Sequence, residues 1–147
     1  MQRIVEPELM GDKAQAEAYA AADFEQAHRL IVDAFDLCFP NVELEGNILD
    51  LACGPGDITF RFATRFQKSL VTGIDGSTEM IRLANERKNR EHSLCDRVTF
   101  IQGILPDAKI PNGPYSAVVS NSLLHHLHHP EVLWQTLIQY ASPGTKF

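Results

Sequence analysis

A short glycine-containing turn and a later aspartate are the residues of this sequence best suited to hold a nucleoside. The turn is Asp50-x-Ala52-x-Gly54-x-Gly56, and Asp75 ends the next predicted strand. Glycine permits backbone angles and a close ligand approach that a Cβ blocks. An acidic residue about 20 positions beyond such a turn binds ribose hydroxyls in dinucleotide folds. The two features together predict a site for a nucleoside-bearing cofactor.

A run of histidines, His125-His126-x-His128-His129, is the second group with chemical potential. Zinc is one candidate ligand, but zinc sites need convergent side chains and oriented outer partners, and no Cys or carboxylate cluster accompanies the run. We therefore predict no metal, and predict that His125 or His126 faces the site. His125 is the candidate catalytic base or substrate contact.

The elements that must position these residues alternate along the chain. Apolar runs without polar alternation are typical of buried parallel strands. Strand–helix alternation of this kind predicts an α/β fold with an open, doubly wound, mainly parallel sheet and right-handed crossovers, which binds ligands at the carboxyl ends of its strands. The predicted strands are 48–52, 70–74, 97–102 and 115–120, and the predicted helices are 57–66, 77–90 and one starting at Pro130.

The first 45 residues predict helix rather than sheet. Alanines are dense from Ala14 to Ala22, and apolar residues recur at three-and-four spacing from Phe24 to Cys38, which together predict helix over 12–39. A break is expected near Asp23, which is a suitable N-cap. Pro40 ends the pattern. The predicted organisation is an N-terminal helical segment over 1–45 and a sheet core over 46–147.

Composition narrows the possible partners. The chain has 147 residues, 44% of them hydrophobic, and a formal net charge of −6. Acidic charge without a Lys/Arg stripe argues against nucleic acid and anionic membrane as partners. Three scattered cysteines fit a reducing compartment, and Cys53 suits a small buried thiol better than a nucleophile. With no leader or membrane span in the sequence, we predict a soluble cytoplasmic protein with a small-molecule partner.

The turn does not match the dinucleotide fingerprint G-x-G-x-x-G, because Thr59 occupies the third glycine position. It resembles motif I of the class I SAM-dependent methyltransferases, D/E-x-G-x-G-x-G, with Ala52 in the first glycine slot. The stretch 120–127 is similar to the loop after strand four in small-molecule methyltransferases.

This resemblance implies S-adenosyl-L-methionine (SAM) as cofactor. It implies that Gly54 and Gly56 pass the methionine moiety over bare backbone, and that Asp50 helps to position its amino group. It also implies that the N-terminal segment covers the site as a lid, with Tyr19 as a candidate lid residue; an exposed helix tyrosine is the alternative. The remaining implied cofactor residues are Ala52 in the turn, Asp75 and Gly76 at the ribose, Met80 and the backbone of Ile104 and Leu105 at the adenine, and Ser120 and Asn121 at the sulfonium.

The sequence departs from the family pattern in three places. Ile104 stands where an acidic residue usually meets the adenine amino group, and Ser116 replaces the aspartate that usually opens strand four. The family sheet has seven strands in the order 3-2-1-4-5-7-6, whereas this chain stops near the predicted start of strand five. The expected core therefore lacks its C-terminal strands and leaves strand four as an open edge for a second copy or a completing chain.

Two functions follow from the sequence. The first is a SAM-dependent methyltransferase that acts on a small-molecule acceptor, without nucleic acid or membrane as partner. The alternative is a methyltransferase-like fragment that is non-catalytic or completed by a partner. NAD-dependent oxidoreduction is disfavoured by Thr59.

Overall fold

The computed structural model describes residues 9–147, so the part of the predicted N-terminal segment before Leu9 lies outside the described residues. Among residues 9–147, no helix is long and apolar enough to cross a membrane. The helices are α1 (Lys13–Ala21), α2 (Glu25–Cys38), α3 (Asp57–Arg65), α4 (Thr78–Arg90) and α5 (Glu131–Tyr140), and the strands are β1 (Gly46–Leu51), β2 (Ser69–Asp75), β3 (Val98–Gln102) and β4 (Tyr115–Ser120).

The four strands form one parallel sheet in the order β3-β2-β1-β4. The pairing places Leu51 of β1 opposite Ile74 of β2 and Ser120 of β4, and Asp75 opposite Gln102 of β3. The carboxyl ends of all four strands therefore meet at one edge. The predicted open parallel α/β fold is confirmed.

Helices cover both faces of the sheet, which explains why β1 is apolar along its length. Ile48 packs with α2 and α3 on one face, whereas Leu49 and Leu51 pack with α5 on the other. Residues 48–51 are all buried as a result. The central strand is thus fixed on both sides, and the turn that follows it has a rigid base.

The predicted N-terminal helix divides into α1 and α2 at residues 22–24. The N-cap position of α2 is Phe24, which has no side-chain capping hydrogen bond, so the prediction of Asp23 as the N-cap is wrong by one residue. The Asp23 carboxylate still accepts a hydrogen bond from the Glu25 backbone N–H at 3.0 Å, just before the helix begins. Helix α2 docks through Phe35, whose ring meets those of Phe62 and Phe66 edge-on at centroid distances of 5.2 and 5.7 Å. This aromatic contact anchors the N-terminal segment to the sheet core.

The outer edge of β4 is not fully open, which corrects the expectation from sequence. Lys146 forms a parallel bridge with Ala117. The Val118 N–H donates to the Lys146 carbonyl at 2.9 Å, and the Lys146 N–H donates to the Ser116 carbonyl at 3.0 Å. The turn at Pro143-Gly144 returns the chain to the sheet, so the residues after it pair with β4 instead of leaving it uncovered.

Candidate cofactor site

A cavity of about 470 Å³ lies at the carboxyl edge of the sheet. Its floor is built from the ends of β1 and β2 and the loops after β3 and β4, and residues 9–24 form its roof. Nine of the predicted site residues lie on its wall: Ala52, Gly54, Asp75, Gly76, Met80, Ile104, Leu105, Asn121 and His125. Three do not, namely Asp50, Gly56 and Ser120. The catalytic role of His125 and the cofactor role of the other eleven residues stay predictions.

The two glycines of the turn, Gly54 and Gly56, have different structural roles. Both adopt left-handed backbone angles, with φ of 54° at Gly54 and 88° at Gly56. A Cβ on Gly54 would meet no atom within 4 Å, whereas one on Gly56 would lie 2.7 Å from Cζ of Phe100. Gly54 therefore presents bare backbone to the cavity, and Gly56 lets the turn pack against the rings beneath it and start α3.

Ala52 ends β1 in a left-handed conformation, with φ of 61°. An L-residue with a Cβ pays about 1–2 kcal/mol for this conformation, which glycine adopts freely. The alanine in the first glycine slot therefore keeps the turn geometry at the expense of local strain. The motif departure does not abolish the turn.

Asp75 is held by backbone at the end of β2. Its Oδ2 accepts from the Gly54 N–H and its Oδ1 from the Ser77 N–H, each at 2.8 Å. Burial raises the pKa of Asp75, and these two hydrogen bonds and His126 oppose that rise. Each carboxylate oxygen can accept a further hydrogen bond. The carboxylate is thus fixed in place with acceptor capacity left toward the cavity that it lines.

Asp50 lies behind the turn instead of on the cavity wall. Its side chain is almost fully buried, and Oδ2 accepts from the Thr59 hydroxyl at 2.7 Å. Burial raises the pKa of Asp50 to about 7, against the lowering effect of the Thr59 hydrogen bond. The structure therefore gives Asp50 a direct role in joining β1 to α3, and its contact with a cofactor stays a prediction.

The β3 end of the cavity is apolar. Met80, Ile104 and Leu105 line it together with Leu9 of the roof. The Gln102 side chain donates to the Gly76 carbonyl at 3.0 Å and ties the end of β3 to the loop after β2. Among the described residues of the wall, Asp75 is the only carboxylate. This end of the cavity therefore suits a flat apolar group of a ligand, and the middle of the cavity, at Asp75, suits a ligand's hydrogen-bonding groups.

The loop after β4 closes the other end. Asn121, Ser122, His125 and His126 lie on the wall, and the two imidazole rings are 4.0 Å apart. The Ser120 hydroxyl turns back to donate to the Leu51 carbonyl at 3.2 Å, which explains its absence from the wall. Within residues 9–147, no three metal-binding side chains converge. His125 reaches the cavity, and its role as base stays a prediction.

The roof is the part that sequence reasoning largely missed. Met10, Gln15 and Phe24 line the cavity beside Tyr19, which was a candidate only through the family resemblance. The Ser77 hydroxyl donates to the Met10 carbonyl at 2.6 Å, a link across 67 residues. No local sequence pattern predicts such a contact, since α1 is rich in alanine and has few large apolar side chains.

Comparison with known proteins agrees with this architecture. Residues 48–144 match the family model described as a methyltransferase domain. The chain belongs to this family. The family prediction is confirmed, and SAM is the cofactor of the class I methyltransferases to which its fold corresponds.

Two curated relatives illustrate the similarity. The chain is 32% identical over 128 residues to malonyl-[acyl-carrier protein] O-methyltransferase of Priestia megaterium, covering 87% of this chain and 43% of that protein. It is 32% identical over 104 residues to trans-aconitate 2-methyltransferase of Mycobacterium tuberculosis, covering 71% and 36%. The chain thus spans less than half the length of the relatives it matches.

Solved structures share the fold at low identity. Phosphoethanolamine N-methyltransferase 2 of Haemonchus contortus, in complex with SAM, superposes with a TM-score of 0.73 at 19% identity, over 89% of this chain and 31% of that one. A SAM-dependent methyltransferase of Geobacter sulfurreducens, in complex with S-adenosyl-L-homocysteine, gives 0.66 at 21%, over 86% and 49%. These similarities confirm the Rossmann-like methyltransferase fold.

Proposed function

We propose that the cavity of this methyltransferase domain binds SAM and serves the transfer of a methyl group to a small-molecule acceptor. The observation that carries the proposal is the pairing of Gly54 with Asp75. The glycine offers open backbone to the cavity, and the aspartate accepts its N–H at 2.8 Å while keeping acceptor capacity for a ribose.

The remaining walls fit the other parts of the cofactor. A ribose at Asp75 leaves the apolar surface of Met80, Ile104 and Leu105 on one side for a nucleobase. On the other side lie the turn at Gly54 and the loop at Asn121, which offer backbone and amide groups to the amino-acid end. A volume of about 470 Å³ falls in the range of pockets that enclose ligands of this size.

SAM supplies a methyl group on a sulfonium, which an acceptor nucleophile can take in line. The chain's own contribution is then to align the cofactor with the acceptor and to exclude water. Where the acceptor atom carries a proton, the chain must also remove that proton. His125 lies on the wall beside Asn121 and is our candidate for proton removal. The acceptor named for one relative, trans-aconitate, supports a small-molecule acceptor.

Titration calorimetry with S-adenosyl-L-homocysteine tests the proposal. Asp75→Asn should weaken binding by about 1.5–3 kcal/mol, the range for a hydrogen bond to a charged group. Asp33→Asn removes an exposed carboxylate on α2, away from the cavity, and should leave the affinity unchanged. A folded wild-type chain that binds no S-adenosyl-L-homocysteine, or an Asp75→Asn variant with wild-type affinity, would contradict it.

A second candidate is a methyltransferase-like subunit whose activity needs another polypeptide. The apolar surface of α5 favours it, since Ile138 is 80% exposed and Trp134 is half-exposed beside Phe147. Light scattering combined with a methyl-transfer assay separates the two candidates. A monomeric chain that transfers methyl groups by itself would exclude the second candidate.

A further inference from the structure

A cluster of charges lies just outside the cofactor cavity, around Asp57 at the start of α3. Its carboxylate contacts His28 of α2 at 2.9 Å, Arg87 of α4 at 2.8 Å, and Arg61 one turn further along α3. Arg61 also pairs with Glu25 of α2 at 2.6 Å. Asp57 is therefore a hub that ties three helices together, although its side chain does not line the cofactor cavity.

A chain of ring contacts leads from this hub to the cavity. The His28 ring lies 5.3 Å from that of Phe24, and the Phe24 ring lies 5.0 Å from that of Tyr19. Tyr19 and Phe24 both line the roof of the cofactor cavity. Asp57, His28, Phe24 and Tyr19 thus form a continuous relay, named here the Asp57 relay, from the start of α3 to the roof.

The rings of Tyr19 and Phe24 have open space on both sides, so their position depends on the Asp57 relay. Tyr19 and Phe24 also line a second cavity of about 230 Å³, which Asp57, His28 and Arg61 border as well. The rings form a partition between two cavities instead of filling a packed core. Their position is therefore set by contacts at their edges, of which the His28 ring is one.

The contact between His28 and Asp57 is shielded from solvent. Their side chains are 13% and 21% exposed, so water competes for this hydrogen bond less than it does at an open surface. Burial acts to raise the pKa of Asp57, but hydrogen bonds from Arg61 and Arg87 outweigh it and hold the pKa below its usual range. The carboxylate therefore remains charged at neutral pH and keeps its partners.

We propose that Asp57 and His28 are positioning residues that hold Tyr19 and Phe24 in place as the roof of the cofactor cavity. The proposal rests on the proposed function for its effect on cofactor affinity. Its structural half concerns the ligand-free chain and can be tested without any ligand.

Two variants break the relay at different points. Asp57→Asn removes the negative charge that His28, Arg61 and Arg87 contact. His28→Phe keeps a ring beside Phe24 but loses the 2.9 Å contact with Asp57. Should Asp57→Asn fail to fold, His28→Phe still tests the relay, because it retains the aromatic packing.

The chain offers a matched control on the same pair of helices. Asp36 of α2 pairs with Arg65 of α3 at 3.0 Å, at the end of both helices that is remote from Tyr19. Asp36→Asn removes one ion pair between α2 and α3 and leaves the relay intact. It shows what a general loss of helix docking does.

The first readout is the ¹⁹F resonance of Tyr19 in chain labelled with 3-fluorotyrosine, assigned through Tyr19→Phe, without ligand. Asp57→Asn and His28→Phe should shift this resonance, and Asp36→Asn should not. The second readout is calorimetric affinity for S-adenosyl-L-homocysteine, which should fall about fivefold or more in both relay variants, a common size for coupling between sites. The Asp36→Asn affinity should stay at the wild-type value.

The outcomes separate the two proposals. An unchanged Tyr19 resonance in both relay variants overturns the relay, as does an equal effect of Asp36→Asn. A shifted resonance with unchanged affinity overturns the positioning role. If the wild-type chain binds no S-adenosyl-L-homocysteine, the proposed function fails, and the Tyr19 resonance still decides whether the relay exists.

Discussion

The floor and the roof of the cavity are built by different physical means. At the floor, backbone groups do the fixing: Asp75 is held by the N–H groups of Gly54 and Ser77, at the edge of a sheet buried on both faces. The roof is held in position by side chains, namely the charged cluster around Asp57 and the rings of Phe24 and Tyr19. The floor is rigid because backbone hydrogen bonds of a buried sheet fix it, whereas the roof is held by a few side-chain contacts that single substitutions can remove.

This difference suggests a division of labour. A rigid floor sets which ligand fits, because its backbone groups cannot adjust to another shape. A roof held by side chains sets how readily the ligand enters and leaves, since few buried contacts must break for it to open. Substitutions in the floor should therefore alter stability and selectivity together, and substitutions in the roof should alter affinity with less effect on stability.

The largest effect is expected at Gly56 in the floor. Gly56→Ala places a Cβ 2.7 Å from the Phe100 ring at a φ of 88°, so clash and backbone strain add to roughly 3–4 kcal/mol of lost stability. Urea denaturation measures it. Gly54→Ala is the matched control: its Cβ meets no atom, so it should cost about 1–2 kcal/mol of stability but weaken cofactor binding. Equal stability losses would contradict the separate roles of the two glycines.

The next effect concerns Asp50 and depends on pH. Its pKa of about 7 in the folded chain exceeds its ordinary value of 3.8, so the folded state holds a proton that the unfolded state releases. Stability should therefore fall as pH rises between these values, and Asp50→Asn should abolish that fall. We expect the variant to gain about 3–4 kcal/mol over wild type between pH 4 and pH 8, because each unit of pKa difference corresponds to about 1.4 kcal/mol.

Denaturation at several pH values measures the Asp50 effect, and Thr59→Val provides its control. That variant removes the hydroxyl that favours the ionised carboxylate, so the pKa of Asp50 should rise further and the loss of stability should continue to a higher pH than in the wild type. Identical pH profiles for wild type and Asp50→Asn would show that Asp50 is ionised in the folded chain throughout.

The smallest effect is expected at Ala52. Ala52→Gly relieves a left-handed alanine at φ of 61° and should stabilise the fold by about 0.5–1 kcal/mol. Ala18→Gly, at an exposed position in the interior of α1, should destabilise by about 1 kcal/mol because glycine adds only backbone freedom there. Thermal unfolding of both variants measures the contrast, and a destabilising Ala52→Gly would contradict the strain at this position.

The floor could be predicted from the sequence because its residues are near one another along the chain. The turn from Asp50 to Gly56 and the aspartate at 75 lie within one strand–helix–strand unit, whose periodicity is local. The N-cap at Ser77 was likewise predictable, and its hydroxyl accepts from the Met80 N–H at 3.2 Å. Such features follow from backbone geometry that a short pattern encodes.

The family resemblance indicated that the N-terminal segment covers the site, but the contacts that hold the roof could not be predicted, for the opposite reason. The contacts of Met10 with Ser77 and of His28 with Asp57 join residues 67 and 29 positions apart. No periodicity relates them, and they form only once α1 and α2 have packed on the core. The inward burial of Asp50 behind the turn was missed similarly, because its partner Thr59 is chosen by the packing of α3 and not by the motif.

The central claim is that the floor at Gly54 and Asp75 is the SAM site, and NMR titration of the ¹⁵N-labelled chain with S-adenosyl-L-homocysteine tests it most directly. We predict saturable shifts of the Gly54, Gly76 and Ser77 amides, which surround the Asp75 carboxylate. Amides beside the second cavity, such as Arg90, should move little. The absence of shifts at the floor, or shifts confined to the second cavity, would contradict the account.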